Sequence, residues 1–215
     1  MIFLVVGLTA LAVLGYTAYR IYENLFRERS ISSLVNLETD THKLVDMSLD
    51  AFESLKDTPY LMATIRYQKH YRQSYYDKET SIIRNFLFFN TSDKSAQKLI
   101  PNNNFLFLRY EKLGQQMPTG DLFNKVQGIW YEVVTTDSNN DQRLTREDQK
   151  TIAVSEASGA NFTEVIRQVD KLVGTHQPDD ETLLVFYAST GKHFVTEINI
   201  PTRRAVMTQQ LPSLM

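Results

Sequence analysis

Oxygen-bearing side chains recur at a ligand-like spacing in one stretch, Asp137-Ser138-Asn139-Asn140-Asp141-Gln142-Arg143-Leu144-Thr145-Arg146-Glu147-Asp148. Acidic or amide oxygens stand at its first, third and fifth positions, Asp137, Asn139 and Asp141. The seventh residue, Arg143, offers a backbone carbonyl, the ninth, Thr145, a hydroxyl, and the twelfth, Asp148, a carboxylate. Leu144 sits among them as an apolar anchor. A hard cation such as Ca²⁺ takes about six to eight oxygens, and a short loop that presents them on alternate residues can wrap it. Asp137, Asn139, Asp141, Arg143, Thr145 and Asp148 are therefore the candidate metal ligands.

The spacing is that of an EF-hand loop, with two departures. The sixth position, where Gly normally supplies a positive φ, is Gln142, which carries a steric cost. The twelfth is Asp148 in place of Glu; its side chain is one methylene shorter, so a bidentate grip is harder to reach and affinity falls. The flanks differ as well. Gly128-Ile129-Trp130-Tyr131-Glu132-Val133-Val134 is aromatic and β-branched, the texture of a strand and not of an entering helix. Thr145-Arg146-Glu147-Asp148 has the pattern of a helix start with Thr145 as N-cap, and Thr151 to Ser155 again reads as a strand. Two readings stand: a weak Ca²⁺ site, or an Asx-rich connection between strands that needs no metal. No other cofactor is expected.

Other chemistry is sparse. The chain has no cysteine, which excludes disulfides, zinc-thiolate sites and cysteine nucleophiles. His42, His70, His176 and His193 are scattered, with no pairing at ligand spacing. No nucleophile elbow, phosphate loop or dinucleotide fingerprint occurs. Ser95-Ala96-Gln97-Lys98 matches Ser-x-x-Lys formally but falls in an expected hairpin, where the amine cannot sit over the hydroxyl. From Arg66 to Lys78 bases interleave with aromatics, yet Tyr67, Lys69, Tyr71 and Tyr75 share one face of an expected long strand. Glu38, Asp40, Asp46 and Asp50 read as a solvated acidic face. With a net charge of −2 and a pI near 6.1, nucleic acid is not an expected partner. The chain is expected not to be an enzyme.

Residues 1–19 carry no charged side chain, and Ile21 and Tyr22 prolong the apolar run past Arg20. At a helical rise of ~1.5 Å, about 20 such residues cross a ~30 Å hydrocarbon layer. Tyr16, Tyr19 and Tyr22 would lie at the interface. No basic residue precedes the run and Tyr-Thr-Ala-Tyr-Arg is a poor cleavage site, so a membrane anchor is favoured over a signal peptide. Arg20, Arg27 and Arg29 follow the anchor, which places the rest of the chain on the cytoplasmic side of an inner, plasma membrane in preference to the periplasmic side.

The whole chain is 42% hydrophobic with a mean hydropathy of −0.30, and at 215 residues it can bury a full core. Strand-like runs recur at 60–67, 85–89, 96–100, 104–110, 128–134, 151–155, 183–187, 194–200 and 205–208, separated by short polar turns. A helical stretch is expected over 161–173, where Val165, Val169 and Leu172 recur, with a strand into Ile166 as the competitor. Residues 114–127 read as the least ordered insert. A strand–polar turn–strand repeat appears near 86–100, 151–166 and 184–200, with a degenerate copy near 44–65.

Over 129–166 the chain resembles the TolB-like group of bacterial β-propeller proteins. The Asp137-x-Asn139-x-Asp141 loop, the strand Ile152-Ala153-Val154-Ser155 and the Ser158-Gly159 turn carry this resemblance. It implies a binding or scaffold domain and supplies no catalytic residues. The chain departs in length, since roughly 180 residues at ~40–50 per blade cannot close six blades. The expected fold is therefore mainly β: an N-terminal transmembrane helix, then an antiparallel meander domain, partly propeller-like or a sandwich, with one or two short helices. The expected domains are an anchor at 1–22, a juxtamembrane linker at 23–40 and a β-rich domain at 41–215. The expected function is a single-pass, membrane-anchored, non-catalytic scaffold that binds a protein partner, of bacterial type. The alternative is a calcium- or ligand-sensing β domain built on the 137–148 loop.

Overall fold

The computed structural model describes residues 47–69, 80–116 and 123–213, together with Tyr16 and the pair Val35–Asn36. The chain divides into Met1–Ile31 and Ser32–Met215. The transmembrane-helix expectation for 1–22 lies outside the described residues apart from Tyr16. Among the described residues no helix is long and apolar enough to cross a membrane.

Fifteen strands, all in antiparallel pairs, make up the described chain. They are β1 (Val35–Asn36), β2 (Met47–Leu49), β3 (Glu53–Ser54), β4 (Tyr60–Lys69), β5 (Thr80–Asn90), β6 (Ala96–Lys98), β7 (Leu106–Gln116) and β8 (Phe123–Val134). There follow β9 (Arg143–Leu144), β10 (Lys150–Glu156), β11 (Thr163–Val169), β12 (Lys171–His176), β13 (Thr182–Ser189), β14 (Lys192–Asn199) and β15 (Arg204–Gln210). β1 and β9 form a two-stranded ribbon, and β12-β13-β14-β15 a four-stranded sheet. The other nine strands are joined in one ladder, but β5 meets β7 through the single register pair Ile83↔Phe107. They therefore act as two sheets. The first is β4, β5 and β6 with β2 and β3 sharing the free edge of β4; the second is β7-β8-β10-β11. Three meander sheets thus succeed one another along the chain.

The second sheet lies between the other two, and that position explains its sequence. Along β8, Ile129, Tyr131 and Val133 join a core with Met62, Phe86 and Phe88 of the first sheet. The alternate residue Trp130 joins Ile152, Val154 and Leu113 in a core with Leu183, Val185, Tyr187 and Ile198 of the third sheet. Because successive side chains point to opposite faces, a strand packed on both faces must be apolar at both parities. This is why Ile129, Trp130, Tyr131, Val133 and Val134 are apolar at both parities, with Glu132 the one charged residue among them, and the stretch does not alternate. Phe86 meets Phe107, Tyr110 and Tyr131 at ring-centroid separations of 5.1, 4.9 and 5.2 Å. Edge-on and tilted contacts of this kind add about 0.5–1.5 kcal/mol each beyond area burial. A third cluster, Ile82, Leu106, Val134 and Leu144, anchors the 137–148 loop to the sheets.

One turn is tied to this packing at close range. Gly159, at φ +81°, lies so close to the Phe88 ring that a Cβ there would stand 2.3 Å from its Cδ2 atom. The Ser158-Gly159 turn between β10 and β11 therefore seats directly on the first sheet.

The structure corrects three expectations. The helix over 161–173 is replaced by the end of one hairpin and the start of another, β11 and β12. Thr163, Val165, Ile166 and Val169 are β-branched and favour strand. A register shift on β10–β11 and a left-handed Gln168 (φ 59°) insert one residue between the buried Ile166 and Val169. That bulge turns a spacing of two into three and imitates a helical period. No helix starts at Thr145 either; β10 begins at Lys150, and no helix occurs over 123–213. Finally, 114–116 and 123–127 belong to β7 and β8 and not to an irregular insert. The hairpins expected near 86–100, 151–166 and 184–200 are β5–β6, β10–β11 and β13–β14. Val35 and Asn36, from the stretch expected to be a linker, pair with Leu144 and Arg143.

Candidate functional site

The 137–148 loop is ordered by its own oxygens. Asp137 accepts the backbone N–H of Asp141 on Oδ1 (3.3 Å) and that of Gln142 on Oδ2 (2.7 Å). Asn139 Oδ1 accepts from Asp141 N (3.0 Å), and Asp141 Oδ1 from Arg143 N (2.9 Å). These are nested Asx turns, in which a short acidic or amide side chain bonds the backbone a few residues on. Gln142 has φ 64° and supplies the left-handed turn that Gly would make without strain. Asn140 has φ 61°, a conformation Asn tolerates better than most residues. Leu144, 1% exposed, pins the loop to the core as an apolar anchor should.

Asp148 takes a different place from that of its loop partners. It is 0% exposed. Its Oδ1 accepts Ser138 N (2.8 Å) and Ser138 Oγ (3.1 Å), and its Oδ2 accepts Thr145 N (2.8 Å). The carboxylate thus ties the two ends of the loop together. Thr145 completes the turn by accepting Glu147 N on Oγ1 (3.1 Å). This is the reciprocal bonding of a helix cap used to close a turn instead. Asp137, Asn139 and Asp141 lie on the solvent side, whereas Asp148 and Thr145 are buried beneath. Among the described residues no three His, Cys, Asp or Glu side chains converge as a metal centre. A cation here would draw on Asp137, Asp141, the Asn139 amide, the Arg143 carbonyl and water; Asp148 would have to leave its present bonds to join them.

A second place has the shape of a binding site and carries no sequence motif. The leading strands of the three sheets converge on a cleft of about 620 Å³. β3 contributes Glu53, β7 contributes Tyr110, Glu111, Lys112 and Leu113, and β12 contributes Thr175 and His176. Trp130 and Leu183 are buried beneath it, and Phe123 stands half-buried at its side. Lys112 Nζ donates to Glu53 Oε2 (3.0 Å) and ties the first sheet to the second. Gln177 ties the second to the third: its Nε2 donates to Gly114 O (2.6 Å) and its Oε1 accepts Gly114 N (3.3 Å). Burial and the nearby Glu53 carboxylate push the Tyr110 phenol above its usual value, so it remains a neutral donor. No sequence signal marks this cleft. Its walls come from strands more than a hundred residues apart, and each wall alone reads as an ordinary edge strand.

The third sheet has a mixed outer face, on which apolar side chains stand among Glu197, Gln209 and His193. Its inner residues Leu183, Val185, Tyr187 and Ile198 are buried against the second sheet. Leu184, Phe186, Val195 and Met207 alternate with these and with Thr196 and Thr208, and so point the other way. Met207 is 46% exposed and the bulged Val173 59%. His193 is on this sheet too, opposite Ala188. Residues 70–79 of the basic-aromatic stretch, and His42 and His70, lie outside the described residues.

No family model matches the chain, and no curated protein does. Among solved structures it is similar to the β-propeller domain of the Trilobed protease from Pyrococcus furiosus, at 10% identity and a TM-score of 0.40, over 78% of this chain and 44% of that one. It is similar also to the Dos1 propeller, at 9% identity and a TM-score of 0.39, over 85% of this chain and 52% of that one. The chain thus spans about half the length of each propeller it matches.

Proposed function

We propose that this chain is a non-catalytic, partner-binding module, held at a bacterial inner membrane by its N-terminal segment, with the β-sheet domain on the cytoplasmic side. The observation that supports partner binding is the outward face of the third sheet, where Phe186, Val195 and Met207 lie on the side away from the core, with the exposed bulge residue Val173 on the first strand of the same sheet. Exposed apolar side chains on a terminal sheet, here interspersed with Glu197 and Gln209, are anchors on which a further macromolecule can dock. The uncharged run over residues 1–19 supports the membrane placement.

The test uses the tagged full chain solubilised from membranes. Val173→Lys and Met207→Lys should each weaken recovery of a stoichiometric protein partner by about tenfold, with Tm within about 2 °C of the parent because both side chains are exposed. Equal recovery with all three proteins would remove this face from the function.

A calcium- or ligand-sensing role for the 137–148 loop is the second reading. The nested Asx turns and the left-handed Gln142 favour it, since they hold Asp137, Asn139 and Asp141 on one side of the loop. Thermal melts with and without millimolar Ca²⁺ test it; an unchanged Tm would exclude a sensor.

A further inference from the structure

The first sheet also keeps an outer face, and its chemistry differs from that of the third. Met62, Phe86 and Phe88 turn inward to the second sheet, so their neighbours along β4 and β5 point the other way. Leu61 stands opposite Phe89, Ala63 opposite Leu87, and Ile65 between Leu49 of β2 and Asn85 of β5. The Phe52 ring meets Phe89 edge-on at 6.4 Å. At the β2 end this face is open, with Met47, Leu49 and Phe52 exposed by 40%, 48% and 42%.

Two cations stand on it among the described residues. Lys98 of β6 is exposed and opposite Leu87. Arg84 occupies the bulge where β5 slips against β4, and its electrostatic neighbour is the Tyr67 phenol, on the same side as Ile65. Arg84 Nε donates to Asn103 O (2.6 Å). Burial pulls the Arg84 pKa down to about 10, which leaves it charged at neutral pH. No carboxylate pairs with Arg84 among the described residues. The strands of this sheet place none on the outer face either. Glu53, the one acid in them, is opposite the inward Met62 and bonds Lys112, while the neighbouring Asp50 bonds Thr64 and Arg66.

Exposed apolar side chains beside a half-buried guanidinium without a counter-charge suit a surface that is anionic at its rim and apolar beneath. A phospholipid interface has that make-up. Guanidinium pairs with phosphate bidentately, and leucine, methionine and phenylalanine enter below the headgroups. Chain order brings such a surface here. Val35 pairs with Leu144, and Leu144 packs with Ile82 of β5. Residues 23–34, between the expected anchor and Val35, span at most about 40 Å when fully extended. A bilayer that holds residues 1–22 is thus always within reach of the first sheet, at the raised effective concentration of a tethered site.

We propose that the outer face of the first sheet docks on the anionic lipid surface of the membrane that holds the chain. Leu49 and Phe52 enter the headgroup layer, and Arg84 and Lys98 meet lipid phosphates. This rests on the proposed membrane placement and is independent of the protein partner assigned to the third sheet.

The chain has no cysteine, so Leu49→Cys and, on the third sheet, Met207→Cys each give a single site for an NBD label. The labelled full chain is reconstituted in phosphatidylcholine vesicles with about 30% phosphatidylglycerol, which makes the surface negative. A phosphatidylcholine spin-labelled near its headgroup serves as quencher. Quenching at Leu49 should exceed that at Met207 by about threefold or more, because only a label within the headgroup layer meets the quencher. The excess should fall by about half or more in phosphatidylcholine alone and in Arg84→Gln, as loss of charge-assisted phosphate contacts requires. Equal quenching at the two positions, no quenching at Leu49, or an excess unchanged by lipid charge or by Arg84→Gln would each overturn the proposal. In intact membranes, a photoreactive residue at Leu49 that yields a protein adduct and no lipid adduct would assign the face to a protein and overturn it also. Should Arg84→Gln fail to fold, the comparison of the two vesicle compositions decides. Release of the parent chain from membranes by alkaline carbonate would remove the membrane placement and this inference with it. A retained chain without quenching at Leu49 removes the inference alone.

Discussion

Single residues in this fold are tied down by contacts that can be broken one at a time. Gly159 is the sharpest case, since both its left-handed φ and the 2.3 Å approach to Phe88 exclude a side chain. Gly159→Ala should lower stability by about 2–3 kcal/mol, the usual cost of overpacking plus a strained backbone. Urea unfolding measures this, and a loss under about 0.5 kcal/mol would show that the turn does not seat as described. Asp50 offers a pH-dependent case. Burial raises its pKa, but hydrogen bonds from Thr64 Oγ1 and Arg66, with the charge of Arg66, outweigh that and hold it below its ordinary value of 3.8. A carboxyl with a lowered folded pKa stabilises the fold above its unfolded pKa, and that contribution is lost as pH falls through the folded value. The stability gap between parent and Asp50→Asn should therefore be larger at about pH 6 than at about pH 3. A gap independent of pH would mean that Asp50 is not engaged. Residue chemistry of this kind was only partly legible in the sequence. The oxygen spacing of 137–148 was visible, as was the left-handed demand at Gln142. That Asp148 is buried and saturated by Ser138 and Thr145 was not, because burial is set by the sheets beneath the loop.

The elements show where local pattern suffices and where it misleads. Turns written with Asn, Asp, Ser and Gly, at 90–95, 158–159 and 190–192, were legible because those residues bond or free their own backbone. β11 was not, because a bulge at Gln168 spaces Ile166 and Val169 as a helix would. The 137–148 loop acts as an element in its own right, closed by Asp148. If that closure is structural, Asp148→Ala should cost about 2–3 kcal/mol, because three donors, Ser138 N, Ser138 Oγ and the buried Thr145 N, lose their charged acceptor. The loss should be the same in chelator as in Ca²⁺, read by urea unfolding in each. A loss seen only with Ca²⁺ present would instead make Asp148 a ligand.

In the whole molecule, three meander sheets follow one another, and the middle one is buried on both faces. The antiparallel, mainly β character was legible from strand texture and short turns. The number of sheets was not, since stacking depends on which face of each strand finds a neighbour, and β8 hides this by being apolar at both parities. The stack also explains where binding surface arises. An inner sheet has no free face, whereas the third sheet keeps one, and a cleft lies where the edges of all three sheets meet. The proposed binding role rests on the third sheet's outer face. Site-specific photocross-linking in intact membranes tests this most directly, with a photoreactive residue placed in turn at Val173, at Met207 and at Asp93 on the distant β5–β6 turn. The account predicts one light-dependent adduct of the same size from Val173 and Met207 and none from Asp93. No adduct from Val173 and Met207, or the same adducts from all three positions, would contradict it.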